Sequence, residues 1–334
     1  MSKKEIIYIT DLNTKTLNTH LMCRLQIRIT TLLSERMDIC DIRNIKNNRK
    51  IHGYQKYVID GSCLDPATVK FSLNELQEQL NVIIKYDKYL LLHDTHDWSF
   101  GFNDSVPIPP IVPQLYDTKS KQKLKQFIKH NNIKSLIAIN NDEEVIFLRN
   151  YLSDVIKDLY VNLHFIDSAF YNTHQFNFNL NKNIDILFYG TANPDVYPFR
   201  CRLKDICLKY GYNIIIIPRK YNYDPRFCDK GLAKYISKSW ITIACVSNFC
   251  SSVRKYNEIV LSGSVPIGDI SEQLYNVNNG DMLLLNNNMS DIEIKTEIDK
   301  FLNNKDLLVF LHLKSSQDYK KYYDSVYIST LYDI

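Results

Sequence analysis

The sequence predicts an α/β protein made of two doubly wound domains, each a parallel sheet flanked by crossover helices. Three observations predict it. Short β-branched runs alternate with longer amphipathic stretches from one end of the chain to the other, the pattern of parallel strands joined through helices. The rhythm breaks once, over 168–183 (SAFYNTHQFNFNLNKN), which is polar, Asn-rich and without a period. The 334 residues also suit two domains of about 100–200 residues better than one. The expected organisation is a first domain over 1–170, a linker over 171–183, a second domain over 184–314, and a helix over 315–334 packing back across both. A cleft between the domains would receive ligands, because open α/β sheets bind beyond the carboxyl ends of their strands.

Taken in order, 6–10 reads as the first strand and 17–36 as a helix. Further strands fall at 57–60, 89–93, 135–140 and 161–166, with helical spacing of apolar residues at 73–80, 119–129 and 142–153. After the break, strands are predicted at 184–189, 213–218, 240–246 and 265–267. Helices are predicted at 198–210, 231–238, 253–262 and 291–302, the last with Ser290 as N-cap. The tail from Ser315 to Tyr332 reads as a final helix.

Composition narrows the class. Hydrophobic residues make up 45% and charged residues 23%, enough to fill two cores. A net charge of +4 is small for a nucleic-acid binder and weighs mildly against that partner. No apolar run approaches the roughly 18 residues that span a bilayer, and MSKKEIIYITDLN reads as a first strand and not as a signal peptide. The eight cysteines include no Cys-x-x-Cys pair and no zinc spacing. They read as core residues in a reducing compartment. The expected place is therefore cytoplasmic, in the host cell if the source is viral; abundant Asn, Lys, Ile and Tyr point to AT-rich coding and say nothing of the chemistry.

Three segments carry candidate chemistry. In 185–203, DILFYGTANPDVYPFRCRL, a strand ends at Gly190 and a helix follows with Arg200 and Arg202. A glycine at a strand end lets backbone approach a ligand, and an arginine at a helix start can fork onto phosphate. An ordinary βα turn with surface arginines reads equally well. In 252–270, SVRKYNEIVLSGSVPIGDI, Lys255 and Glu258 are three apart and share a helix face. The cation suits a diphosphate and the carboxylate suits ribose hydroxyls, with Ser262, Gly263 and Ser264 as a small-residue turn before the next strand. A surface ion pair is the alternative. In 88–102, KYLLLHDTHDWSFGF, an apolar strand runs into His93, Asp94, His96 and Asp97. Titratable groups at a strand's carboxyl end can accept the proton of an attacking hydroxyl, and Asp94 is the first carboxylate there. A metal site of Asp94, His96 and Asp97 remains the alternative, as do purely structural histidines.

Segments 185–203 and 252–270 resemble the C-terminal half of GT-B glycosyltransferases, of the CgeB-like and group 1 type. In that family a Lys/Arg-x-x-Glu helix leads through a small-residue turn into a strand. The resemblance implies a GT-B fold of two Rossmann-like domains, diphosphate binding by Lys255 and ribose binding by Glu258. It also implies an approach of Arg200 to the phosphates, and it extends to 280–304, GDMLLLNNNMSDIEIKTEIDKFLNN. The stretch KYLLLHD resembles the catalytic strand of the phage DNA β-glucosyltransferase, where the strand-end aspartate is the base and corresponds to Asp94. No Glu-x7-Glu motif surrounds Glu258 and no Asp-x-Asp motif of the GT-A type occurs, which tilts the expectation towards inversion without a donor-bound metal. The resemblance implies sugar transfer from a nucleotide sugar. The expected reaction is transfer, UDP-sugar favoured, to a hydroxyl of a glycan or glycoprotein, an acceptor that the fold by itself does not imply. A DNA-base acceptor and a non-catalytic nucleotide- or glycan-binding module are the alternatives. No cofactor is expected beyond the donor, a divalent metal would at most stimulate, and Arg219, in the loop RKYNYDPRF, is expected near the nucleotide.

Overall fold

A computed structural model describes residues 5–12, 37–64, 73–93, 118–139, 149–162, 180–218, 230–247, 255–271, 274–276 and 280–322. The chain divides into two compact units, Met1–Asn162 and Leu163–Ile334.

The first unit is a six-stranded parallel sheet. Its strands are β1 (Ile6–Thr10), β2 (Asp38–Asp41), β3 (Lys56–Asp60), β4 (Lys88–His93), β5 (Ile133–Ile139) and β6 (Asp158–Asn162), in the order β2-β1-β3-β4-β5-β6. Helices α1 (Leu73–Leu80) and α2 (Thr118–His130) lie between the later strands in sequence. The strands are apolar on both faces because a parallel sheet is covered on both. Ile7, Ile9, Tyr57, Ile59, Leu90 and Leu136 join Leu76 and Leu80 of α1 and Leu124, Phe127 and Ile128 of α2 in one core. At the amino end of β4 the buried Lys88 ammonium donates to the carbonyls of Tyr86 and Asn131, each at 2.7 Å. Burial pulls its pKa down to about 8.

The second unit is a five-stranded parallel sheet. Its elements are β7 (Ile184–Gly190), α3 (Pro198–Lys209), β8 (Ile214–Pro218), α4 (Lys230–Ser237), β9 (Ser239–Ile243), α5 (Lys255–Leu261), β10 (Val265–Gly268), β11 (Leu283–Leu284), α6 (Asp291–Leu302) and α7 (Lys305–Tyr322). The strand order is β11-β10-β9-β7-β8. Ile186 and Phe188 of β7 pack with Phe199, Leu203 and Ile206 of α3 and with Ile294 and Ile298 of α6. Ser290 caps α6 as expected, in a reciprocal capping box with Glu293. Gly268 ends β10 at φ +139, and a Cβ there would lie 2.1 Å from the Ala244 carbonyl oxygen, so the chain just after β9 comes this close to the end of β10 because that residue is a glycine.

Several boundaries differ from those the sequence predicts. Strand β2 is an addition, and β6 begins at Asp158 where the sequence suggested 161. The last helix begins at Lys305, ten residues ahead of Ser315. The predicted helix at 17–36 and most of that at 142–153 lie outside the described residues. Cys40, Cys63, Cys201, Cys207 and Cys245 are free thiols buried in the cores. Among the described residues no helix is long and apolar enough to cross a membrane, and no group of three or more His, Cys, Asp or Glu is placed to hold a metal ion.

Candidate functional site

The second sheet has one topological switch point. From β7 the chain passes through α3 to β8 on one side, then returns through α4 to β9 on the other. Crossovers that diverge in this way leave a crevice beyond the carboxyl ends of the two adjacent strands, here β7 and β9. Gly190 ends β7 and Thr191 follows it at that crevice, and Ala244 to Ser247 follow β9.

Three of the sequence-predicted residues converge on the end of β7. Gly190 sits at φ +86, in the left-handed region that suits glycine, and a Cβ there would lie 2.9 Å from the Lys255 Nζ. The Lys255 ammonium donates to the Tyr189 carbonyl and lies 3.8 Å from the centroid of the Tyr189 ring. One helical turn further along α5, Glu258 is 4% exposed. Its Oε2 accepts a hydrogen bond of 2.7 Å from the Tyr189 hydroxyl. A cation and a carboxylate thus flank one strand end, with a glycine leaving room for the cation.

Arg200 comes to the same place in a different role from the expected one. It is 1% exposed; its Nη2 donates to the Thr191 carbonyl, and its guanidinium lies 3.6 Å from the Tyr197 ring centroid. It ties the loop after β7 to the start of α3 and is not a fork held out to solvent. Arg202 is also committed, to Asp291 at 2.8 Å and to the carbonyls of Met289 at 2.7 Å and Asn287 at 2.8 Å. It anchors the start of α6.

Ser262, Gly263 and Ser264 are not brought to this cluster. Helix α5 runs antiparallel to the strands, so the turn that ends it lies at their amino ends. The Ser264 N–H donates to the Ile259 carbonyl and the Gly263 N–H to that of Val260, both at 3.1 Å. Gly263 stands at φ +89. This is a Schellman helix stop. Ser264 Oγ is 2.8 Å from Thr242 Oγ1, and Lys182 donates to the Gly263 carbonyl. Their small size serves the helix end. Asp94, His96, Asp97 and Arg219 lie outside the described residues.

Two further groups in this unit, Tyr189 and Asp269, carry no functional signal in residue type and spacing. Tyr189 looked like one more core residue at the end of an apolar strand. Asp269, directly after β10, accepts from the Val246 N–H at 2.9 Å, its carbonyl accepts from the Tyr256 hydroxyl at 2.5 Å, and burial raises its carboxyl pKa. A cavity of about 370 Å³ opens beside the crevice, lined by Gly190, Thr191, Asn193, Leu208, Ile216 and Pro218 among others.

The first unit has its own switch point, between β1 and β3. Buried Thr10 donates to Asp60 Oδ2 at 2.9 Å across it. Asp11 pairs with Arg43, which also meets Asp41 at 3.1 Å. Asp60 ends β3 and Asp11 follows β1, one and two strands from β4.

Two doubly wound units of this kind define the α/β fold of the GT-B glycosyltransferases. Solved structures of that fold superpose on nearly the whole chain. An alpha-glucosyltransferase in complex with UDP-glucose and DNA containing an abasic site matches over 98% of this chain and 98% of its own, with a TM-score of 0.57 and 8% identity. Anabaena HepE in complex with UDP-glucose matches over 98% and 99%, with a TM-score of 0.51 and 10% identity. TarM matches 82% of this chain, which spans about half (53%) of TarM's length, with a TM-score of 0.48 and 12% identity. No family model matches the sequence, and no curated protein matches it.

Proposed function

We propose that the chain is a glycosyltransferase that takes a nucleoside-diphosphate sugar, by preference a UDP-sugar, and moves the sugar to a hydroxyl of a glycan or glycoprotein. The observation that carries this reading is the convergence of Lys255, Glu258 and Gly190 on the end of β7, at the switch point of the second sheet. The Lys255 ammonium neutralises the diphosphate as it leaves. Glu258 accepts hydrogen bonds from the ribose, and the missing side chain at Gly190 admits the phosphates to the backbone. UDP is favoured because two full-length structural neighbours are complexes with UDP-glucose. In the proposed course Asp94 takes the proton of the acceptor hydroxyl while that oxygen attacks the sugar carbon, and the bond to the diphosphate breaks with inversion. Arg219 belongs to the donor side of the proposal; His96 and Asp97 stand as the rivals to Asp94. No cofactor enters the scheme, and a divalent metal only stimulates it.

A thermal-shift screen against UDP-, GDP- and dTDP-sugars tests the reading, because a ligand held at 100 times its Kd stabilises the native state by about 2.7 kcal/mol. A shift with one nucleotide series supports it; no shift with any series at millimolar concentration contradicts it.

A second reading, transfer to DNA, is favoured by one observation: a full-length neighbour is bound to DNA. Ordinary bases carry no alcohol, so the acceptor would be a duplex with hydroxylated bases, and the base would have to be extruded. Turnover of UDP-sugar by such a duplex and not by glycans selects this reading.

A further inference from the structure

We propose that Tyr189 is a positioning residue of the donor site, holding the Glu258 carboxylate in the orientation that takes ribose hydroxyls; the inference rests on the donor-site reading above. Side chains alternate along a strand. Phe188 accordingly enters the core with α3, while the Tyr189 hydroxyl reaches Glu258 on α5 at 2.7 Å in a buried setting. A hydroxyl donating to an ionised carboxylate makes a strong, directional bond. Glutamate has three side-chain torsions, and a carboxylate left free would have to be ordered each time a nucleotide bound. The Tyr189 bond holds those torsions before the ligand arrives.

The same residue also stations the cation. Its ring lies 3.8 Å from the Lys255 Nζ, and its carbonyl accepts from that ammonium. One residue at the end of β7 therefore sits between the two charges of the site, and Gly190 beside it keeps the space open. A hydroxyl that only satisfied a buried carboxylate would serve stability and would not distinguish one nucleotide from another.

Tyr189→Phe separates these roles, because it keeps the ring and the carbonyl for Lys255 and removes the hydroxyl that donates to Glu258. The full chain is titrated calorimetrically with UDP and with 2′,3′-dideoxy-UDP. The expected result is a loss of about 3- to 10-fold in UDP affinity, with dideoxy-UDP binding changed by less than about 2-fold on the same principle. Equal losses for both nucleotides, or no loss for either, overturn the inference. Should Tyr189→Phe fail to fold, the Tyr189→Phe/Glu258→Ala double variant is compared with Glu258→Ala, since the buried charge and the hydroxyl's acceptor are then both gone. Equal UDP affinity of the two supports the proposal, and a further loss on removing the hydroxyl overturns it. If wild-type chain binds neither nucleotide, the donor-site reading falls and takes this inference with it. If wild type binds UDP and the Phe variant is indistinguishable from it, only this inference falls.

Discussion

Gly190→Ala probes the geometry of the site at one atom. The residue sits at φ +86, where an alanine costs about 1–2 kcal/mol from contact of its Cβ with the backbone. The new Cβ would also stand 2.9 Å from the Lys255 Nζ, closer than a carbon and an ammonium nitrogen tolerate. The Lys255 side chain is flexible and gives way, which weakens its bond to the Tyr189 carbonyl. A hydrogen bond to a charged group contributes about 1.5–3 kcal/mol, and solvent at this half-buried ammonium reduces that loss. The expected destabilisation is therefore about 2–3 kcal/mol in urea unfolding. Displacement of the cation should also lower UDP affinity by about 10-fold, a difference of about 1.4 kcal/mol. Loss of stability with unchanged UDP affinity would show that Lys255 is not the cation of a diphosphate site. No change in either would refute the reasoning about the strand end altogether.

The other predictions concern the base, the metal and acid stability. Asp94→Asn should lower turnover by about 10²–10⁴-fold while leaving UDP affinity intact; near-normal turnover, with His96→Ala or Asp97→Asn inactive, would move the role. A product that retains the donor's anomeric configuration would remove the need for a single base. Excess chelator should leave donor turnover measurable, and complete loss restored by Mg²⁺ or Mn²⁺ would count against the metal-free scheme. His312 is 2% exposed, and burial together with the nearby Lys182 ammonium pulls its pKa from 6.5 down to about 4. The folded state then binds fewer protons than the unfolded state between those values, so stability present above pH 6.5 is lost as pH falls towards 4. The loss amounts to about 3 kcal/mol, and folded His312→Gln lacking that acid-dependent component in urea titrations is the expected result; an unchanged pH profile would refute it.

Much of the second sheet is legible in the sequence because its signals agree. β7 has Asp185 as its one charged residue and β8 is an unbroken apolar run, α6 carries its capping box at Ser290 and Glu293, and Lys255 and Glu258 declare a shared face by spacing alone. The elements that escaped have weak or conflicting signals. Strand β2, DICD, has only Ile39 and Cys40 between aspartates. Helix α7 hides its period because it buries His312, Ser315, Ser316 and Tyr319 while exposing Phe310 and Leu313. A reader looking for an apolar stripe finds none, and the start at Lys305 is missed.

The site divides along the same line. Residue type and spacing reveal which groups can bind an anion, but not which are already committed within the fold. Arg200 has the look of a phosphate fork, and only packing shows it closed over Thr191 and Tyr197. Ser262 to Ser264 have the look of a ligand turn, and only the direction of α5 puts them at the amino ends of the strands, away from the crevice, as a helix stop. Tyr189 escaped for the converse reason, since an aromatic closing an apolar strand is indistinguishable from core until its hydroxyl is seen on Glu258.

The central claim is that the end of β7 binds a nucleoside diphosphate through Lys255 and Glu258. Calorimetric titration of UDP into wild-type chain and into folded Glu258→Ala tests it most directly. Removing a carboxylate that accepts from ribose hydroxyls should weaken binding by about 1–3 kcal/mol, a loss of about 5- to 150-fold. UDP binding to folded Glu258→Ala with the affinity of the wild type would contradict it.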